Sequence, residues 1–284
     1  MALLLNYDGE DEPKEVKEYS FSGLYSVSGF PDDEIISPLR VKYLAGYEDY
    51  PVVVVHPGYR MRGVEGFVCN KMAEMLQTQG YSVLIYDYRG FEATRTDAED
   101  AATMTSNIED SKVAIKFLGN RLRIDLSISY GVNVAMFADD YNCIGRVNVL
   151  PAPDHIQHSA AVCFDEDAYS TEGFFYGPDP LNLKITHKFF KDASQYSIVD
   201  AMGKNVDRPH RLILSNDDDV VDSQVVSEFI ENLQLYGYNL NIRLVEGVQH
   251  IPEEPIFMAA LFEVGAVAQV YFQRQHNDLA SDLS

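Results

Sequence analysis

A chain of 284 residues, 46% hydrophobic and 12% aromatic, is long enough to bury the core of one large α/β domain without staples. Its formal charge of −22 argues against a nucleic-acid partner, since neutralising phosphates takes Lys and Arg in excess. The three cysteines, Cys69, Cys143 and Cys163, match neither a disulfide framework nor a zinc-ligand spacing, and they fit a reduced, cytoplasmic setting.

Residues 1–15 are acidic and contain a proline, the composition of a loose lead-in. The opening Met-Ala-Leu-Leu-Leu-Asn is too short for a signal-peptide apolar region, and no run approaches a membrane span, so a soluble protein is expected. Two β-like stretches, 18–28 and 34–44, separated by turn residues 29–33, predict an antiparallel edge to a sheet. Residues 51–55 form a continuous apolar run of the kind buried on both faces of a parallel sheet. A helix is predicted over 67–79 from the spacing of Phe67, Met72, Met75 and Leu76, and a buried strand over 81–87. A second helix, over 107–118, carries Ile108, Val113, Ala114 and Phe117 on one face, and the strand 122–126 follows.

Beyond that strand come a sharp turn at Ser129, a helix over 132–138 and a strand over 145–151. Residues 153–207 break the rhythm. Rich in aromatics, Pro, Gly and His and without an obvious buried strand, they are expected as an insertion capping the sheet's C-terminal edge. The alternation resumes with a strand at 211–214, a helix at 224–236, a strand at 240–245 and a helix at 255–272, with a frayed tail from Gln273. Strands alternating with helices imply βαβ crossovers and a mostly parallel sheet flanked by helices. The expected organisation is a single domain over 1–284 with the cap at 153–207 inside it.

Chemistry-bearing residues fall in loops after strands, where open α/β sheets place their sites. Ser127-Ile128-Ser129-Tyr130-Gly131 has the strand–turn–helix context of a nucleophile elbow, G-x-S-x-G, with Ser127 in place of the first glycine. Ser215-Asn216-Asp217-Asp218-Asp219 follows the strand at 211–214, and Glu246-Gly247-Val248-Gln249-His250 follows the strand at 240–245. The order Ser, Asp, His is that of an α/β-hydrolase triad. Spacing to Val221 selects Asp218 as the acid, with Asp217 and Asp219 as solvated neighbours. The other reading of the run is an acidic turn that caps the helix starting near Asp222 or Ser223. Acyl chemistry also needs two N–H donors for an oxyanion. Tyr130 is expected to supply one from its backbone, and Tyr59, in His56-Pro57-Gly58-Tyr59, the other.

Weaker candidates are His155 and His158, for which surface histidines are the simpler reading. Lys184, His187, Lys188 and Lys191 form a basic stripe at helical spacing, read as a solvated helix face or as a contact for a phosphate-bearing carrier arm, which Arg60 and Arg62 could join.

These residues carry a resemblance. Pro57-Gly58-Tyr59-Arg60-Met61-Arg62, Gly80-Tyr81-Ser82-Val83, Tyr86-Asp87, Thr103-Met104-Thr105, the Ser127-Ile128-Ser129 elbow, Asn216 to Val221 and His250 with Glu253-Glu254 are similar to the bacterial bioluminescence acyl-transferase (myristoyl-acyl-carrier-protein thioesterase) family of the α/β-hydrolase superfamily. It runs from about residue 50 to 272 and is loose in the cap near residues 184–192; His56 and Gly131 are closer to general hydrolases. The resemblance implies an α/β-hydrolase fold, no cofactor or metal, and the triad Ser129, Asp218 and His250. It also implies an acyl-thioester partner carried on acyl carrier protein or coenzyme A. A small-ester carboxylesterase and a catalytically silent binding protein are the competing expectations, and the sequence does not set the oligomeric state.

Overall fold

The computed structural model describes residues 16–21, 39–89, 102–154, 173–176, 184–203 and 206–282. Its centre is an eight-stranded sheet in the order β1-β2-β4-β3-β5-β6-β9-β10. The strands are β1 (Val16–Phe21), β2 (Leu39–Leu44), β3 (Val52–His56), β4 (Ser82–Tyr86), β5 (Arg123–Ile128), β6 (Cys143–Val149), β9 (Pro209–Ser215) and β10 (Asn239–Val245). β1 pairs antiparallel with β2, and β2 with β4, so the expected antiparallel edge is present. Every pairing from β4 to β10 is parallel.

Helices connect the parallel strands: α1 (Phe67–Thr78), α2 (Met104–Lys116), α3 (Gly131–Phe137), α6 (Ser223–Leu235) and α7 (Glu254–Asp282). In β3, Val53 and Val55 join the apolar layer under α1 and α7, while Val52 and Val54 join the layer under α2. Burial on both faces is why this strand reads as an unbroken valine run. α2 begins three residues earlier than its apolar spacing suggests. Thr103 and Ser106 form a capping box, each side chain accepting from the other's backbone N–H, and this fixes the helix start ahead of the first apolar residue.

Between β6 and β9 the described residues include β7 (Phe174–Tyr176) and β8 (Lys184–Thr186), an antiparallel pair outside the main sheet, then α4 (His187–Ala193) and α5 (Ile198–Ala201). The sequence shows neither strand because each is three residues long. α4 turns Phe189 inward onto Tyr59 and Tyr130, at ring-centroid distances of 5.0 and 6.0 Å. His155 and His158 lie outside the described residues.

The final helix differs most from expectation: it continues through Asp282 rather than fraying from Gln273. Its stretch Glu254–Gln275 is, by length and composition, long and apolar enough to cross a membrane, which corrects the expectation that no run approaches that length. Here Ile256, Ala260, Val264 and Val267 are buried in the layer against the sheet.

Candidate active site

Ser129 sits on the turn between β5 and α3 with φ of 51°, the left-handed region that non-glycine residues rarely adopt. Backbone bonds hold it there: Ser129 N–H donates to Val149 O at 2.9 Å, and Ser129 O accepts from Val132 and Ala152, each at 3.2 Å. Close packing leaves the turn no slack. A Cβ on Gly131 would stand 2.4 Å from His56 O and 2.7 Å from Pro57 O, so only glycine lets the helix start pass the end of β3.

The loop after β5 meets the loops after β9 and β10 here. His250 Nε2 lies 2.7 Å from Ser129 Oγ, and His250 Nδ1 lies 2.9 and 3.1 Å from the two carboxylate oxygens of Asp218. His250 is buried, and Asp218 is largely so. Burial raises the Asp218 carboxyl, but the hydrogen bond and charge of His250, with the N–H groups of Val221 and Val220, outweigh it and hold the group below the usual carboxylate value. An ionised carboxylate on Nδ1 favours the tautomer that leaves Nε2 free to accept the serine proton.

The neighbouring Asp217 and Asp219 are exposed, as expected of solvated neighbours, and each also accepts a backbone N–H. Asp217 Oδ2 accepts the Gly247 backbone N–H at 2.7 Å, and Asp219 Oδ1 accepts that of His250 at 3.3 Å. Three consecutive aspartates thus grip the histidine loop at three points. Capping falls instead to Asp222, whose side chain accepts from Gln224 N–H at 2.8 Å at the start of α6.

The loop after β3 lies against the elbow. A Cβ on Gly58 would be 3.4 Å from Ile128 O and 3.5 Å from Ser129 Cβ, so the chain around Tyr59 runs beside the serine. Asp87, after β4, accepts the N–H groups of Gly63 and Val64 at 2.8 and 2.9 Å and pins the far side of this loop. Tyr59 Oη and Arg60 Nη1 both donate to Lys184 O, tying it to β8. Tyr130 stands at the N-cap of α3, where helix geometry leaves N–H groups without intrahelical acceptors.

Sequence reasoning missed a buried polar row under the site. The alternation that sends Val52 and Val54 toward α2 sends His56 there too, away from the serine; its Nδ1 lies 2.8 Å from Tyr86 Oη. On the same face of the sheet Ser127 Oγ donates to Asn148 Oδ1, and Asn148 Nδ2 donates to His210 Nε2. Burial, with the Arg146 charge, lowers His210 to about 3, so its ring is neutral and accepts. Ser127 therefore replaces the elbow glycine with a side chain that has a partner. The signal was present as polar residues at buried strand positions.

Further along this face Asp125 pairs with Arg123 at 2.8 Å, and Asp139 with Arg146 at 2.7 Å and Arg208 at 2.9 Å. Asp125, Asp139 and Cys143 bring three potential ligand atoms within 4.8 Å of one another. Guanidinium groups already neutralise both carboxylates, and burial pushes the Cys143 thiol up to about 12, so the donor set does not suit a cation. Beside Asp218, a cavity of about 600 Å³ opens between β9 and α6, with Leu150, Leu214, Val226 and Ile230 on its walls.

A mostly parallel sheet with helices on both faces, an elbow after β5 and acid and histidine loops after later strands define the α/β-hydrolase fold. Solved structures agree. A provisionally assigned hydrolase of Agrobacterium vitis S4 superposes with a TM-score of 0.72 at 15% identity, covering 90% of this chain and 100% of that one. Mouse alpha/beta hydrolase domain-containing protein 10 gives 0.67 at 17% identity, over 90% and 98% of the two chains. Est1E of Butyrivibrio proteoclasticus, bound to ferulic acid, gives 0.64 at 14% identity, over 83% and 95%. No family model matches the chain, and no curated protein sequence matches it either.

Proposed function

We propose that this protein is a serine hydrolase that cleaves acyl esters or thioesters through an acyl-serine intermediate. The observation that carries the reading is the continuous hydrogen-bonded line Ser129 Oγ–His250 Nε2, His250 Nδ1–Asp218, on a serine held at positive φ. In this mechanism His250 takes the Ser129 proton as Oγ attacks the acyl carbonyl, and Asp218 stabilises the imidazolium. The backbone N–H groups of Tyr59 and Tyr130 receive the oxyanion. The imidazolium then protonates the leaving thiol or alcohol, and His250 activates water, or another acceptor, to release the acyl group.

The preferred substrate is an acyl-thioester, with the acyl group on acyl carrier protein or coenzyme A. Support for that finer step is the resemblance to the bioluminescence acyl-transferase family, which includes a small residue at the first elbow position. Est1E, with its bound ferulic acid, supports the alternative of an oxygen-ester substrate. Hydrolysis rates on matched thioesters and oxygen esters of several chain lengths separate the two, with Ser129→Ala as the blank. A higher kcat/KM on thioesters selects the preferred reading, and the reverse order selects the esterase.

A further inference from the structure

β10 ends the sheet, and among the described residues its outer edge has no strand partner. Proteins blunt such edges with proline, lysine, bulges or inward charges, because an open row of N–H and C=O groups templates pairing with another chain. Of these devices the strand carries a single charged side chain, Arg243, which is turned onto α7 and paired there with the buried Glu263. Its register with β9 runs unbroken from Asn239 opposite Pro209 to Val245 opposite Ser215, and Asn239-Leu240-Asn241-Ile242-Arg243-Leu244-Val245 contains no proline, lysine or carboxylate.

Exposed apolar bulk gathers at the same place. Of the nine large hydrophobic side chains exposed among the described residues, six are on β10 or the helices beside it. Ile242 and Leu244 are 43% and 54% exposed on the strand, Met258 and Phe262 on α7 are 52% and 62% exposed, and Leu235 and Tyr236 close α6. The Arg243 guanidinium lies over the Phe262 ring at 4.4 Å, joining strand and helix into one surface, and it bonds Glu263 at 2.7 Å. A patch of this kind on a monomer marks an interaction site.

We infer that β10 pairs antiparallel with β10 of a second copy, joining two sheets across a two-fold axis at Ile242. The strand is self-complementary about that residue. The axis sets Leu240 opposite Leu244 and Ile242 opposite itself, a ladder of six apolar side chains on the α6 face. On the α7 face it sets Asn241 opposite Arg243. An axis one residue later would oppose two Arg243 guanidiniums, and directly opposed like charges are unfavourable. Such an isologous contact closes after two copies and leaves no free edge. Charge favours the choice as well: each copy carries −22, and β10 brings no carboxylate of its own into the contact.

Sedimentation velocity of the full chain over roughly 1 to 100 µM measures the state directly. The expected particle is twice the 32.0 kDa chain mass, with the dimer fraction rising as salt screens the shared negative charge. Ile242→Lys with Leu244→Lys, at exposed positions, is expected to give a monomer with an unchanged circular dichroism spectrum. Ile242→Cys is expected to form a disulfide dimer on mild oxidation, because directly opposed Cβ atoms on antiparallel strands lie about 4.5–5.5 Å apart, within small adjustment of disulfide geometry. Leu235→Cys, off the axis, is expected not to. A wild-type monomer throughout, a dimer indifferent to the two lysines, or cross-linking as efficient in Leu235→Cys as in Ile242→Cys overturns the inference.

Discussion

Asp217 accepts the backbone N–H of Gly247 through its carboxylate, across the gap between the loops that carry Asp218 and His250. Gly247 has φ of 72°, so the turn it makes is one that few other residues enter. The bond sets where the histidine loop starts, three residues before the ring that faces Ser129. Asp217 is thus a positioning residue, and Asp217→Ala is expected to lower kcat about fivefold with KM unchanged, the equivalent of about 1 kcal/mol at an exposed site. Asp217→Asn keeps an acceptor oxygen and is expected to recover most of the rate. Steady-state kinetics of the pair checks this, and equal losses in both variants would count against the positioning role.

Ser127→Gly restores the glycine of the usual elbow pattern and is nevertheless expected to destabilise the protein. It leaves Asn148 Oδ1 buried without its hydroxyl donor and adds strand-interior backbone freedom, together about 2 kcal/mol. Urea denaturation reads the loss. Activity per folded molecule is expected to stay near wild type, because Ser129 keeps its bonds to Val149 and Ala152.

Asp125 is held far below the usual carboxylate range: burial raises it, and Arg123, His56 and Arg146 more than reverse that. Removing the charge takes one of two carboxylate partners from each of two buried guanidiniums, leaving Arg123 with Asp140 and Arg146 with Asp139. Asp125→Ala is therefore expected to cost about 3–5 kcal/mol, measured by chemical denaturation, or to prevent accumulation of folded protein.

The Asp218 carboxyl lies below its ordinary 3.8 in the folded state, so the folded protein binds that proton more weakly than the unfolded chain does. The stability this contributes is complete above 3.8 and is lost as pH falls through the lower folded value. Thermal melts of wild type and Asp218→Asn are expected to differ at neutral pH and to converge in acid. A gap of constant size across that window would contradict the account.

Much of the scaffold was legible because its signals are local. The unbroken valine run of β3, the 3.6-residue spacing of α1 and the order of serine, aspartate and histidine loops are each read from short stretches of chain. What escaped depends on neighbours in space. His56 reads as part of an oxyanion motif, yet strand alternation turns it into the layer under α2. Asp217 and Asp219 are exposed as read, but their hydrogen-bond donors, Gly247 and His250, lie about thirty residues away on another loop and leave no local signal. β7 and β8 are too short to show a period, and α7 outruns its apolar stripe because a helix already packed on the sheet carries its polar end with it.

The central claim is that Ser129 becomes acylated with His250 as its base. The direct measurement is intact mass followed by peptide mapping of the full chain, acid-quenched during turnover of an acyl-thioester or oxygen-ester panel. The account predicts one acyl mass on the peptide containing Ser129, absent from Ser129→Ala and strongly reduced in His250→Ala. Turnover with no adduct at Ser129, or an adduct of equal yield in Ser129→Ala, would contradict it.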